Sequence, residues 1–291
     1  MHDDIFALLE SKASSFSKGQ RLIAKYITEA YDKAAFMTAN RLGKIVGVSE
    51  STVVRFASEL GYDGYPSMQK AMQKMVLNRL TSVQRIGVAN DRIVNQDILT
   101  TVLQADADKL RQTVEIIDRD AFRNSVELIL NAKRIFVLGV RSAAALAGFM
   151  GYYLNFMFSN VHIITSSGES EMFEKLVNVS SEDVVIAFSF PRYSALIAKG
   201  AQYCSKAGAN VIALTDSKLS PLGVVSDCVL LAKSDMVSLV DSLVAPMSVI
   251  NALLVALASE REQALAKTFD SLEKIWDEYN VYEKQVDKFD T

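Results

Sequence analysis

The sequence predicts an α + α/β fold, in which an all-helical N-terminal domain is followed by a domain built on a doubly wound parallel sheet. Three observations lead to this prediction. The 291 residues leave room for about two domains, and 50% of them are apolar, which is enough for a packed core. Residues 1–77 show only helical periodicity. Between residues 135 and 231, short apolar runs rich in β-branched residues alternate with helical patterns, which is typical of strands buried on both faces of a sheet.

Within the first domain, residues 38–61 have the pattern of two short helices joined by a tight turn. Thr38 and Ser49 are expected to cap the two helices, and Gly47 to end the first of them. The second helix carries four apolar residues at the i, i+3, i+4, i+7 spacing of one buried face: Val53, Phe56, Ala57 and Leu60. Two short helices with a glycine turn between them form the helix-turn-helix arrangement.

The opposite face of the second helix carries small polar residues and one arginine. Such a face can enter the major groove of DNA, where Arg55 can bind a guanine or a phosphate, and Ser51 can donate to a phosphate or a base edge. The candidate DNA-binding residues are Lys44, Ser49, Ser51, Thr52, Arg55, Ser58, Tyr62 and Tyr65. On spacing alone, an ordinary helical hairpin with a solvated face is an equally good interpretation.

These residues also carry a family resemblance. The runs FSKGQR at 16–21, GVSESTVVRF at 47–56 and LGYDGY at 60–65 resemble the N-terminal domain of RpiR-type (MurR/RpiR) bacterial transcription regulators. In that family the second and third runs are the recognition helix and the turn after it. The resemblance therefore implies that residues 1–77 form a DNA-binding domain.

The second domain is expected to span residues 95–291, after a polar linker at 78–94. Two helices, at about 96–113 and 119–131, precede its sheet. The five predicted strands are Ile135–Leu138, Val161–Ile164, Val184–Phe188, Val211–Leu214 and Val229–Leu231. The helical patterns between them are Ala143–Phe158, Ser170–Val177 and Leu196–Ala207. A long uncharged helix at Ser242–Ala258 and an amphipathic tail at Arg261–Tyr282 close the chain.

Polar residues follow three of these strands, at the carboxyl ends where ligands bind in open parallel sheets. Two arginines, several hydroxyls and the N–H groups of helix starts make a plausible anion site. The candidate ligand-binding residues are Arg141, Ser142, Ser189, Arg192, Tyr193, Ser194 and Thr215. Helix capping is the alternative and would account for Ser142 and Ser194. It explains less well why two neighbouring strand-end loops each carry an arginine.

A second resemblance rests on the runs IFVLG at 135–139, DVVI at 183–186, GANVIALT at 208–215 and SPL at 220–222, followed by Asp227. With these runs, residues 130–235 resemble the sugar isomerase (SIS) domain, which RpiR-type regulators carry after their helix-turn-helix. Two departures matter. Arg141 stands where the second glycine of the family's Gly-x-Gly-x-Ser loop is expected. The family's phosphate loop, Ser-x-Ser-Gly-x-Thr, reads SFPRYS at 189–194, so it lacks the glycine, and Pro191 removes an N–H donor. We therefore expect an anion held more by guanidinium than by backbone N–H groups. A sugar phosphate, a carboxylate or another small anionic metabolite remains open.

The sequence offers few residues that could catalyse an isomerase reaction. The chain has two histidines, His2 at the terminus and His162 in a predicted strand. Glu169 and Glu171 follow the second strand and are the candidate bases of an isomerase, although solvated helix-start carboxylates are the better interpretation. The sequence lacks a dinucleotide-binding glycine motif, a P-loop, a nucleophile elbow and a metal-ligand cluster, so neither a cofactor nor a metal is expected. Cys204 and Cys228 lie in apolar runs and are expected to be buried.

The distribution of charged residues differs between the two predicted domains. Residues 1–80 hold 11 Lys and Arg against 8 Asp and Glu, and residues 81–291 hold 20 against 26. The acidic N-terminus lacks the order of a signal peptide, and the uncharged stretches 142–161 and 242–259 are interpreted as buried helices, not membrane spans. We expect a cytoplasmic homodimer or homotetramer that binds a palindromic double-stranded operator and responds to a small anionic metabolite. The alternatives are a sugar-phosphate isomerase with a helical appendage, and a DNA-binding protein whose SIS-like domain only oligomerises.

Overall fold

A computed structural model describes residues 5–79, 97–166, 168–235 and 240–282. The chain divides into two compact units, one of residues 1–102 with 236–241 and the other of residues 103–235 with 242–291. Each unit has its own hydrophobic core. Most of the predicted linker, from residue 80 to residue 94, lies outside the described residues.

Unit 1 is helical throughout its described part, as predicted. Its helices are α1 (Ile5–Lys12), α2 (Lys18–Glu29), α3 (Tyr31–Ala34), α4 (Ala39–Val46), α5 (Glu50–Glu59) and α6 (Tyr65–Arg79). The N-terminus of α2 is a capping box, in which Ser17 and Gln20 each bind the other's backbone N–H. The α2, α4 and α5 helices pack around a core that includes Ile23, Leu42 and Phe56, none of which is exposed.

Unit 2 is a three-layer α/β/α sandwich. Its parallel strands are β1 (Arg134–Leu138), β2 (Val161–Ile164), β3 (Asp183–Phe188), β4 (Asn210–Thr215) and β5 (Cys228–Leu231). Two helices precede the sheet along the chain, α7 (Ile98–Ile116) and α8 (Arg119–Asn131). The helices that follow are α9 (Ala144–Met157), α10 (Glu169–Leu176), α11 (Ala195–Lys206), α12 (Val244–Glu260) and α13 (Glu262–Glu278).

The strand order is β2-β1-β3-β4-β5, and every pair is parallel. Alternate side chains of each strand enter different layers. Ile135 and Val137 pack with α8, α9 and α12, whereas Phe136 and Leu138 pack with α10 and α11. All six residues of β3 are buried, which confirms the interpretation of uninterrupted apolar runs as strands covered on both faces.

The edge strand β2 departs from this pattern. Its His162 is exposed, and the imidazole stacks on the ring of Phe136 with the centroids 4.9 Å apart. An edge strand has a neighbour on one side only, so its polar residue stays in contact with solvent. The pairing of His162 with Phe136 puts the histidine two residues before the carboxyl end of β2.

The two uncharged stretches contribute to the core of unit 2. Met150 and Leu154 of α9, and Ile250, Leu253 and Leu257 of α12, are all buried. Across the part of the chain that the structure describes, no single helix is long and apolar enough to cross a membrane. The pair α12 and α13 meets that test of length and composition only when taken together, and it is bent by 96° at the break.

Both cysteines are buried, as predicted. Burial raises the pKa of the Cys204 thiol to about 12, and it also raises the pKa of Cys228. Neither is a thiolate at neutral pH, so both behave as small apolar side chains.

A bidentate ion pair joins the amino ends of β1 and β3. The Nε of Arg134 donates to Oδ1 of Asp183 at 2.9 Å, and Nη2 donates to Oδ2 at 2.6 Å. The Asp183 side chain is fully buried and also accepts hydrogen bonds from the N–H and the hydroxyl of Ser180, at 2.7 and 3.0 Å. Burial alone raises the pKa of Asp183, but the hydrogen bonds from Arg134 and Ser180 outweigh it and hold the pKa below its usual value.

Replacing Asp183 by Asn is expected to lower the free energy of unfolding by about 2–4 kcal/mol, because it leaves Arg134 without its charged partner. The carboxylate's contribution is fully present above the unfolded-state pKa of about 3.9 and is lost as the pH falls through the lower folded-state value. Urea denaturation at neutral pH and below pH 4 measures both effects.

Glu182→Gln is the matched control. It removes an ion pair to Lys133 at the neighbouring position, but both of those side chains are 63% exposed. We expect that variant to lose less than about 1 kcal/mol. Equal losses in the two variants would contradict the importance assigned to Asp183.

Candidate DNA-binding helix and anion site

The turn between α4 and α5 has the predicted geometry. Thr38 caps α4 by accepting from the N–H of Arg41 at 3.2 Å, and Gly47 ends the helix with φ +73°, in the left-handed region. Ser49 caps α5 by accepting from the N–H of Thr52 at 3.2 Å. At Gly43 an added Cβ would lie 2.8 Å from the carbonyl oxygen of Val48, so the first helix packs directly against the turn.

The orientation of α5 about its axis is set by its buried stripe. The four residues predicted to form that stripe are completely buried: Val53, Phe56, Ala57 and Leu60. Consequently Ser51, Arg55 and Ser58 are exposed on the opposite side. Lys44, in the last turn of α4, is also exposed. The structure therefore presents the core of the predicted DNA-binding face to solvent.

Three of the polar side chains at the start of α5 contact one another. The hydroxyl of Ser49 lies 2.9 Å from the hydroxyl of Ser51 and 2.8 Å from that of Thr52. The main contribution of Ser49 is thus to cap the helix and to hold its neighbours.

Two aromatic residues of the predicted DNA-binding set lie elsewhere than expected. Tyr65 is 4% exposed, and its hydroxyl donates to the carbonyl oxygen of Met37 at 2.7 Å. Tyr62 packs against the same core, and its hydroxyl oxygen is shielded from solvent. Tyr65 is therefore withdrawn as a DNA-binding residue, because its ring fills the core between α6 and the loop before α4.

In unit 2, the strand order brings two polar loops together. Between β1 and β3 the chain changes its direction of winding: α9 leaves β1 on one face of the sheet and α11 leaves β3 on the other. A crevice opens at such a switch point, and ligands of open α/β sheets bind there. The loop after β1 carries Arg141 and Ser142, and the loop after β3 carries residues 189–194.

The backbone of Arg141 adopts φ +57°, in the left-handed region that favours glycine. The loop thus keeps a conformation that suits the glycine expected here, although the residue is an arginine. A non-glycine residue costs about 1–2 kcal/mol in this region. Strain of this kind is found where a side chain is needed in one place, and the guanidinium is exposed at the switch point.

The serines of this region have different functions. Ser142 lies inside the short 3₁₀ turn Arg141–Ala143, and the N-cap residue of α9 is Ala143, so Ser142 does not occupy a capping position. Ser194 caps α11 by accepting from the N–H of Ile197 at 3.4 Å, and Ser189 accepts from the N–H of Ser194 at 3.3 Å. An accepting hydroxyl still carries a proton that it can donate to an anion. The capping interpretation therefore accounts for Ser194 but not for Ser142.

Two predicted ligand residues are engaged by protein partners instead. Thr215 is completely buried, and its hydroxyl lies 3.0 Å from that of Ser220. Tyr193 donates its hydroxyl proton to Oδ1 of Asp216 at 2.8 Å. Burial, and then the negative charge of Asp216, raise the pKa of Tyr193, so that this proton is retained. Thr215 is withdrawn as a direct ligand because it is enclosed, and Tyr193 instead links the loop after β3 to the loop after β4.

Comparison with known proteins agrees with both halves of this description. A family model described as the helix-turn-helix domain of the rpiR family matches residues 4–78, and a SIS domain model matches residues 128–256. The chain therefore carries an rpiR-family helix-turn-helix domain followed by a SIS domain. A helix-turn-helix-type transcriptional regulator of Clostridium perfringens is 26% identical to this chain over 225 residues, covering 77% of this chain and 79% of the relative.

Solved structures show the same fold. The sugar isomerase domain of an RpiR transcription factor from Sphaerobacter thermophilus is 28% identical, with a TM-score of 0.59, and the match covers 62% of this chain and 99% of that domain. The NanR protein of Vibrio vulnificus, solved in complex with ManNAc-6P, is 22% identical, with a TM-score of 0.57, over 94% of this chain and 99% of NanR. The prediction of an RpiR-type transcription regulator with a SIS domain is confirmed.

Sequence reasoning missed two residues of these sites. Val54 is 39% exposed on the outward side of α5, and its spacing of three residues from Ser51 already placed it there. Asp216 adds a carboxylate beside the loop after β3. Its position after a strand was visible in the sequence, but its partner Tyr193 was not.

Tyr65→Phe is expected to lower the free energy of unfolding by about 1 kcal/mol, the net value of one buried hydrogen bond. The loss stays modest because the carbonyl of Met37 keeps a second donor, the Nε2 of Gln69 at 2.8 Å. DNA affinity is expected to stay at the wild-type value. Urea denaturation and DNA titration of the same preparation test this, and a variant of normal stability with weakened DNA binding would contradict the buried assignment.

Proposed function

We propose that this chain is a cytoplasmic regulator that binds operator DNA through α5 and changes its DNA affinity when a small anionic metabolite occupies the crevice between β1 and β3. The observation that carries the proposal is the pair of arginine-bearing loops at the switch point, one of which holds Arg141 in a strained backbone conformation. A sugar phosphate is the first candidate for the effector, and the ManNAc-6P in the NanR neighbour supports that class. A carboxylate metabolite is the main competitor.

The anion is proposed to be held by guanidinium and hydroxyl groups. Arg141 and Arg192 supply the charge, and Ser142 and Ser194 supply hydroxyl protons. Ser189 was also predicted as a ligand, but it is buried and holds the loop by accepting from the N–H of Ser194. Pro191 has no N–H, so this loop offers fewer backbone donors than a glycine-rich phosphate loop does. Hydrogen bonds between charged groups are about twice as strong as neutral ones, which offsets the missing backbone donors.

The residues considered for isomerase chemistry do not favour catalysis. Glu169 pairs with Lys199 at 2.8 Å, and Glu171 pairs with Lys175 at 2.6 Å. The hydrogen bond from Lys175 lowers the pKa of Glu171, away from the near-neutral value that suits a general base. His162 lies before the carboxyl end of β2, away from the switch point. We therefore propose a sensor and not an enzyme.

A second copy of the chain is proposed to cover the outer face of α12. This helix has no charged residue before Glu260, yet Val255 is 66% exposed. Beside it, α7, α8 and α12 enclose an apolar groove of about 390 Å³. A helix that is apolar all round is normally buried, and isologous contact between two copies would bury it. A dimer would carry two reading heads and suit a palindromic operator.

Arg55→Ala is expected to weaken binding to the best duplex by about 10–100-fold, because a bidentate arginine contact to guanine is worth about 1–3 kcal/mol. The duplex is selected from a random library with the full chain and titrated at one fixed salt concentration. Lys25→Ala is the control, since Lys25 forms an exposed pair with Glu29 on α2. Wild-type affinity in the Arg55 variant would refute the recognition-helix assignment, and a selected duplex without two-fold symmetry would refute the dimer.

Arg141→Gly is expected to separate stability from ligand binding. Glycine adopts the left-handed conformation without strain, so we expect the free energy of unfolding to stay the same or rise slightly. The affinity of this variant for the anion is expected to fall by about 10-fold or more, because it loses charged hydrogen bonds. The affinity of Arg192→Ala is expected to fall by a similar factor for the same reason. The measurement is the thermal shift caused by a panel of hexose 6-phosphates and inorganic phosphate, with the neutral hexoses as controls.

Lys206→Ala is the matched control, because Lys206 lies at the far end of α11 from the crevice. Unchanged thermal shifts in both arginine variants would contradict the anion site. If no anion on the panel shifts the wild-type chain, the effector is not a sugar phosphate, and the carboxylate class is tested next in the same assay.

A further inference from the structure

We infer that Val54 contacts the C5-methyl group of a thymine in the operator, so that the recognition helix selects a thymine next to the base read by Arg55. This inference rests on the proposed function, since it requires α5 to bind the major groove. It assigns sequence selectivity to an apolar residue that lies outside the polar face deduced from the sequence.

The position of Val54 follows from helix geometry. At about 100° per residue, Ser51, Val54, Arg55 and Ser58 share one outward stripe, opposite the buried residues of α5. Val54 and Arg55 lie on either side of the midline of this stripe, and Ser51 and Ser58 lie one turn away along it. Because the buried residues have no exposure at all, the helix cannot rotate to bury Val54 in its own domain.

The exposure of Val54 is not explained by stability. Single exposed apolar side chains are common on protein surfaces, so the exposure of Val54 by itself does not indicate a binding function. Valine is, however, a weaker helix former than alanine, lysine or glutamate, and at 39% exposure it gains only part of the benefit of burial. Its neighbours one turn away along the stripe are two small serines, Ser51 and Ser58.

The acidic residues of α5 are held away from this stripe. Glu50 accepts a hydrogen bond from the Nδ2 of Asn40 at 2.9 Å, and the Glu59 carboxylate accepts one from the side chain of Gln20. Both partners lie on other helices of the unit, which draws the carboxylates towards the protein. The stripe thus has one guanidinium, two hydroxyls and one branched apolar group, with no carboxylate between them.

This set of groups matches the chemistry of the major groove. The edges of the base pairs there present hydrogen-bond donors, acceptors and one apolar group, the C5-methyl of thymine. Arg55 suits the O6 and N7 acceptors of guanine, and the serine hydroxyls suit donors or acceptors. The branched side chain of Val54 suits only the methyl. Val54 and Arg55 are consecutive residues on either side of the midline of the stripe, so we infer that their side chains contact neighbouring base pairs.

The test uses the full chain and a duplex selected by it from a random library. Each thymine of one half-site is replaced in turn by deoxyuridine, which deletes the methyl and leaves the base pairing intact. With the wild-type chain, one replacement is expected to weaken binding by about fourfold, the value of one buried methyl group. With Val54→Ala, the same replacement is expected to have no further effect, because the contact is already absent.

Ile45→Ala is the matched control. Ile45 is 48% exposed on α4, outside the stripe, so that variant should respond to the deoxyuridine as the wild type does. Thermal denaturation checks that both variants fold. A selected duplex in which every thymine tolerates uracil, or a Val54 variant that keeps the full uracil penalty, would overturn the inference while leaving the proposed function standing. Failure to select any duplex would overturn the proposed function itself.

Discussion

Parallel pairing of all five strands is the constraint on which unit 2 depends. Parallel strands need a crossover connection of about a dozen residues or more, usually a helix, so both faces of the sheet are covered and all the carboxyl ends meet at one edge. In the order β2-β1-β3-β4-β5, the helices that leave β1 and β3 pack on different faces. The crevice between their first turns, and with it the placement of Arg141 opposite the loop after β3, follows from that order and from no single residue.

In unit 1 a single helix determines which residues face a ligand. The buried stripe of α5 sets the rotation of that helix about its axis, and the residues on the opposite side are exposed to a partner. In both units the residues offered to a ligand are ones that stability alone would not select. Arg141 occupies a backbone conformation that glycine adopts more easily, and Val54 is an apolar residue on an exposed helix face. The buried stripe and the sheet keep these residues in place despite their cost.

Much of the fold was predictable because its signals are local. The five strands match their predicted apolar runs to within one residue at either end, because each run is rich in β-branched and other apolar residues and only β2 is interrupted, by His162. The caps at Thr38 and Ser49 and the turn at Gly47 were also predictable, because a hydroxyl or a left-handed glycine meets a need of the adjacent helix end alone. The outward face of α5 follows from its period of 3.6 residues.

The sequence by itself therefore determined the strands, the helices that alternate with them, and the caps and turn of the helix-turn-helix. Only the tertiary structure decided the order of the strands, the burial of Tyr65 against Met37, the enclosure of Thr215 by Ser220 and the pairing of Tyr193 with Asp216. The physical reason is the separation along the sequence between the residues that interact. A cap or an amphipathic stripe is set by neighbours within about one helical turn, whereas Tyr65 and Met37, or Tyr193 and Asp216, lie more than twenty residues apart and meet only once the core has packed.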